Sequence, residues 1–243
     1  MRSEDYCITT VVVGDRYRKM LDVFMKSYQR FDDMPQMLVV SESPDMIRHD
    51  NILTTGIGDN PIKVNGDFNM CLKRLAFQHA IDRGFEKMIF IDIDRTIETW
   101  DWDTIYTTTK PGFGTNWLRY TKHTKSKVRS GDTKACKYET ILSEMGDDAY
   151  DCSYPIFGES LNIVSLKRDK IQQFVDIWSE CGDAIKQSQC SPRHINVEMG
   201  IALKRSNIDI YKYDPPIDTD FKGGIFKHYS YGNKKQMLGK LNK

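Results

Sequence analysis

A chain of 243 residues with 40% apolar and 28% charged side chains can bury one sizeable core, which excludes a disordered or fibrous polypeptide. Its formal net charge of +1 excludes whole-molecule attraction to polyanions as the organising principle. The six cysteines (Cys7, Cys71, Cys136, Cys152, Cys181, Cys190) form no C-x-x-C pair and no finger-like spacing, so they read as reduced thiols, mostly core fillers.

The opening "MRSEDYCITTVVVGD" holds an apolar run broken by threonines, too short for a secretion signal or a membrane anchor. A soluble, cytoplasmic chain without a transmembrane segment is the expectation. Cys7–Val13 is the first predicted strand, turned by Gly14 and Asp15. From Tyr17, the residues Met20, Leu21, Phe24, Met25, Tyr28 and Phe31 recur at helical spacing, with Asp15 placed to cap that helix. "QMLVVSE" is a second strand and "NILTTG" a candidate third. Phe68, Cys71, Leu72, Leu75, Ala76, His79 and Ala80 form another helical stripe, stopped by Gly84. "KMIFI" then reads as a strand buried on both faces.

Strand, helix, strand, helix, strand predicts an α/β fold, a mostly parallel sheet with helices on both sides. The texture changes after Asp94. Thr99–Lys137 is rich in Trp, Tyr, Gly, Lys and Arg with little periodicity, and reads as a long, mobile excursion. Regularity returns with "SYPIFGESLNIVSL", read as a strand, then a helix carrying Ile171, Phe174, Val175, Trp178 and Ile185. "INVEMGIALKRSN" is a short helix leading into the strand "IDIYKYD", and the tail from Phe221 holds six lysines and no acid. One domain over 1–243 is expected: a first half at about 5–98, the excursion at about 99–150, and a second half at about 151–243.

The chemistry concentrates in "KMIFIDIDRTIE", where a buried strand delivers Asp92 and Asp94 to a sheet edge. Ligands of such sheets gather at the carboxyl ends of strands. Two neighbouring carboxylates there repel each other unless a cation shares the site, and hard oxygen donors suit Mg²⁺ or Mn²⁺. The other D-x-D runs, Asp101–Asp103 and Asp218–Asp220, follow no apolar strand and read as surface carboxylates.

Two families share this feature. "DIDRTI" fits the D-x-D-x-T-[LIV] pattern of haloacid-dehalogenase-like phosphatases, which would make Asp92 a nucleophile, and "GDDAYD" at 146–151 imitates their later acidic motif. That motif normally closes the first core strand, however, and here several elements precede it.

The chain also resembles the GT-A glycosyltransferases, most of all the glycogenin/galactinol-synthase-type family, and this resemblance is spread over nearly the whole chain. "VVVGDRY" matches that family's first-strand nucleoside motif at Asp15 and Tyr17, while Val13 and Gly14 replace its Thr and Asn. Lys73 and Arg74 supply the basic residues expected before the D-x-D strand. "FGESLNIV" matches the family's donor strand at Phe157, with Gly158 and Glu159 at the contacting positions. "EMGIAL" places Glu198 at an acidic position, and "HYSYGNKK" offers His228, Gly232 and Lys235 for a metal-and-phosphate tail motif.

The resemblance implies a metal-dependent transfer of a sugar, a UDP-sugar being favoured, from a nucleotide-diphosphate donor to an acceptor that is a glycan, protein or lipid. It implies Asp92, Asp94 and His228 as ligands of Mn²⁺ or Mg²⁺. It implies donor contacts from Val11, Val13, Gly14, Tyr17, Lys73, Arg74, Asp92, Ile93, Gly158, Glu159, Gly232 and Lys235. Glu198 is the implied catalytic residue, touching acceptor or sugar hydroxyls. A sugar-nucleotide or glycan binding module with a decayed site is a further alternative. Nucleic acid is not the expected partner, although the basic tail allows weak contact with an acidic membrane surface.

Overall fold

The computed structural model describes residues 3–122, 131–146, 153–188, 195–213, 217–219, 225–229 and 234–239. Its first half runs β1 (Tyr6–Val12), α1 (Asp15–Tyr28), β2 (Gln36–Ser41), β3 (Ile52–Gly56) and a short hairpin of β4 (Lys63–Val64) and β5 (Asp67–Phe68). A 3-10 turn, Met70–Lys73, leads into α2 (Arg74–Asp82), followed by β6 (Lys87–Ile91) and β7 (Arg95–Ile97). Next come α3 (Trp102–Thr108), β8 (Gly112–Thr115), β9 (Leu118–Lys122), α4 (Thr133–Glu144), β10 (Ser153–Phe157) and β11 (Leu161–Ser165). The chain closes with α5 (Arg168–Ser188), α6 (Asn196–Arg205), β12 (Ile210–Lys212), β13 (Asp218–Thr219), β14 (Phe226–His228) and α7 (Lys234–Leu238).

Seven strands form the central sheet in the order β12-β8-β11-β6-β1-β2-β3, and within it β11 alone runs against its neighbours. The expected mixed, mostly parallel α/β sheet flanked by helices is therefore present, in a Rossmann-like arrangement. Side-chain alternation explains why helices cover both faces. Cys7, Met88 and Phe90 enter a cluster with Phe77, Phe174 and Trp178 of α2 and α5. Tyr6, Ile8, Ile89 and Ile91 enter the other cluster, with Leu21 and Phe24 of α1 and Phe226 of the tail. Burying both faces of the central strands β1, β6, β8 and β11 directs their polar chemistry to the strand ends.

Several local expectations need correction. Gly14, not Asp15, is the N-cap of α1; its φ of 89° is a conformation that favours glycine, and Asp15 lies in the first turn. Phe68 belongs to β5 rather than to the helical stripe, and Asn69 caps the 3-10 turn by accepting from the Cys71 N–H. "SYPIFGESLNIVSL" forms two strands, because Gly158–Ser160 breaks the run between β10 and β11.

The excursion is the largest correction. Its described residues hold α3, β8, β9 and the start of α4, and β8 lies between β11 and β12 in the central sheet. The strand "GFGT" escapes notice because its glycines serve packing rather than pattern. A Cβ at Gly114 would stand 2.8 Å from the Tyr211 ring, and one at Gly112 2.5 Å from the Asp209 carbonyl oxygen.

Candidate active site

The sheet order locates the site before any side chain is considered. From β1 the chain winds outward through β2 and β3, then returns to place β6 on the other side of β1. Such a reversal marks the carboxyl ends of β1 and β6 as the usual ligand position in open α/β sheets. Val13 and Gly14 follow β1 there, and Asp92 follows β6. An open cavity of about 830 Å³, lined by residues including Phe31, Asp33, Gln36 and Asn51, lies at the opposite, amino edge. Strand polarity rather than volume decides between the two, and it selects the carboxyl edge.

The tail reaches this edge by strand pairing. β14 runs antiparallel to β7 with His228 opposite Arg95, and the Tyr229 N–H donates to the Asp94 carbonyl at 2.9 Å. This brings His228 Nε2 to 3.6 Å from Asp94 Oδ1. The first turn of α7 then sets Lys234 Nζ 2.8 Å from Asp94 Oδ2 and 5.5 Å from the centre of the Tyr17 ring. Asp94 is further held by Arg95, itself fully buried, whose Nη1 lies 3.2 Å from Oδ1. Burial alone would raise the Asp94 carboxyl. Hydrogen bonding from His228, the Arg95 charge and Lys234 outweigh that and hold it well below the usual carboxylate range.

Asp92 is held from the other face of the sheet. Lys73, in the turn before α2, places Nζ 2.7 Å from its Oδ1, and 30% of the Asp92 side chain remains exposed. The Asp92 N–H donates to the Ser160 carbonyl at 2.8 Å, and Arg95 Nη2 donates to the Ser160 hydroxyl at 2.9 Å. The segment Gly158–Ser160 is thereby tied to the carboxylate pair. It is anchored from below by Thr115 and Asn162, which both donate to the Gly158 carbonyl, at 2.9 and 2.8 Å. Glu159 is partly buried in that segment.

Other expected residues fall differently. Val11 and Val13 are partly buried against Leu72 and Val40, and Ile93 is buried against α1. The Gly14 N–H is taken by Glu42 Oε1 at 2.8 Å, a carboxylate that also pairs with Arg18. Tyr17 is exposed beside Lys234. Arg74 turns away from Asp92 to donate to Asn60 at 2.9 Å. Gly232 and the acidic run 147–151 lie outside the described residues, and the residues just before that run form α4 rather than a strand.

Two positions depart most from expectation. Lys235 is exposed, and its neighbour Lys234 turns inward instead. Helical spacing is the signal that finds it, since Lys234 lies three residues before Met237, which is fully buried. Glu198 is also fully buried, with Oε2 2.8 Å from Lys137 Nζ and Oε1 accepting from the Cys71 thiol. Burial pushes its carboxyl up to about 7, against the opposing pull of Lys137. Glu198 is thus engaged by Lys137 and Cys71 and has no solvent-exposed surface.

The donor types fit a hard divalent cation: two carboxylates and an imidazole nitrogen, with Asp94 and His228 already facing each other. Among the described residues no three such side chains converge into a ready-made cage. Each carboxylate is instead balanced by a lysine, so binding an ion would require Lys73 and Lys234 to release their oxygens.

No helix among the described residues is long and apolar enough to cross a membrane. No protein-family model matches the chain, and a search of curated proteins finds no match.

Proposed function

We propose that this chain is a glycosyltransferase that moves a sugar from a nucleotide-diphosphate donor, with UDP-sugars favoured, to an acceptor. The observation that carries the reading is the return of the tail, which sets His228 3.6 Å from Asp94 and Lys234 2.8 Å from it at the edge where β6 ends. The resemblance implies a tail histidine beside the strand-end carboxylates and a tail lysine for the donor phosphate; His228 supports the first part, and Lys234 is the tail ammonium nearest the site.

Asp92, Asp94 and His228 would hold Mn²⁺ or Mg²⁺, which when bound supplies Lewis-acid stabilisation of a leaving diphosphate. In such a transfer the bond from the anomeric carbon to the diphosphate oxygen breaks, and negative charge grows on the leaving group. Lys234 and Lys73 are the ammonium groups placed to meet that charge. Arg95, without exposure, keeps Asp94 and Ser160 in register and is a positioning residue. Tyr17 offers an exposed ring beside Lys234, on the β1 side where a nucleoside would lie. The phosphatase alternative draws less support, since its acidic motif should end a strand and α4 precedes it here.

Thermal-shift measurement with UDP and GDP, each with and without Mn²⁺, tests the reading. Stabilisation that needs both nucleotide and metal, and that Asp94→Ala abolishes, is the expected result. Stabilisation by neither nucleotide under any metal condition would defeat it.

A further inference from the structure

β8 runs antiparallel to β11, and β11 runs antiparallel to β6, so β8 and β6 share one direction. The carboxyl end of β8 therefore lies on the same edge as Asp92, two strand spacings away, or about 10 Å. The residue carried just past that end is Trp117, with 38% of its surface exposed. Tyr17 lies on the β1 side of the carboxylate pair and Trp117 on the β8 side, so two exposed aromatic rings straddle the site.

Trp117 is held rather than loose. Its carbonyl accepts from the Gly158 N–H at 3.1 Å and from the Thr115 hydroxyl at 3.3 Å. A Cβ at Gly158 would run into the Asn116 amide first and would stand 3.1 Å from the indole Nε1, so the glycine leaves room for Asn116 and for the edge of the ring. The ring edge therefore borders the segment whose Ser160 carbonyl receives the Asp92 N–H. The Arg119 guanidinium stacks on the same indole at 5.6 Å from the ring centre. A fixed, half-exposed aromatic face with a cation beside it needs little ordering to receive a flat, partly apolar ring.

We infer that Trp117 and Arg119 form the acceptor subsite and that the acceptor is a carbohydrate, preferably one bearing an acidic group. This rests on the transferase reading above. A pyranose ring lies its C–H face on the part of the indole that the guanidinium does not cover, and the guanidinium pairs with a neighbouring carboxylate, sulfate or phosphate. That placement directs an acceptor hydroxyl along the edge toward the donor held by the Asp92 side.

The test uses the full chain and two probes, maltohexaose as a neutral saccharide and a hyaluronan hexasaccharide as a uronate-bearing one, titrated by calorimetry. Wild type should bind both, the hyaluronan fragment more tightly. Trp117→Ala should weaken both by about tenfold and Trp117→Phe by less, while Arg119→Gln weakens only the hyaluronan fragment. Circular dichroism and melting temperature confirm that each variant is folded, and Trp117→Phe preserves an aromatic ring should the alanine variant fail to fold. Wild type binding neither saccharide, or binding undiminished in Trp117→Ala, would overturn the inference; equal affinity for the two saccharides would overturn the acidic preference. The response of wild type to UDP with Mn²⁺, measured alongside, separates failure of the acceptor subsite from failure of the transferase reading.

Discussion

Two sets of lysine–carboxylate pairs in this molecule have nearly the same length and opposite characters. At the sheet edge, Lys73 meets Asp92 at 2.7 Å and Lys234 meets Asp94 at 2.8 Å. Inside the helical layer, Lys137 meets Glu198 at 2.8 Å with neither side chain reaching solvent appreciably. Of the edge carboxylates Asp92 keeps 30% of its side chain exposed, while Asp94 is buried yet depressed because several cations and donors converge on it. The sealed pair has one cation against complete burial, and desolvation wins. Distance alone therefore does not predict how a carboxylate titrates; the number of compensating partners does.

The largest test breaks the sealed pair. Glu198→Ala leaves Lys137 buried without its carboxylate and should cost about 3–5 kcal/mol of stability, read by urea unfolding. Glu198→Leu combined with Lys137→Met should recover most of that loss. A double variant as unstable as the single one would show that shape, not charge, is what the site needs.

The pH dependence of stability sharpens the contrast, because the two carboxylates have opposite signs. Glu198, raised in the fold from 4.5 to about 7, binds more protons folded than unfolded in that window. Its contribution is full below 4.5 and is lost as pH rises through about 7. Asp94, depressed in the fold, contributes stability above its ordinary value of 3.8 that is lost as pH falls below it. Melting temperature against pH should lose the first slope in Glu198→Gln and the second in Asp94→Asn. Unaltered slopes would assign the titrations elsewhere.

The smallest expected effect separates adjacent lysines. Lys234→Ala should weaken UDP binding in the presence of Mn²⁺ by about tenfold, whereas Lys235→Ala should stay within about twofold. Equal losses would return the phosphate role to both residues.

Much of this was legible in one dimension. The β-branched run of β1, the amphipathic stripe of α1 and the apolar run of β6 each bury a pattern that a linear reading displays. The position of Asp92 and Asp94 at a strand end followed from that run. Counting along the motif points to Lys235, whereas the helix turns Lys234 inward to Asp94. The role given to Glu198 followed from motif position, and the structure instead encloses that residue among Lys137 and Cys71. β8 shows no strand pattern in sequence because its two glycines make room for the Tyr211 ring and the Asp209 carbonyl, a demand made by a segment far along the chain.

By itself the order of amino acids determined the fold class and where the acidic pair would emerge, because alternation and helical spacing are local consequences of backbone geometry. Only the tertiary structure decided which cation meets which carboxylate, that His228 returns to Asp94, and that Glu198 is sealed away. Those outcomes depend on strand pairing and burial between segments distant along the chain, and the free energy of a charge is set by what surrounds it in space.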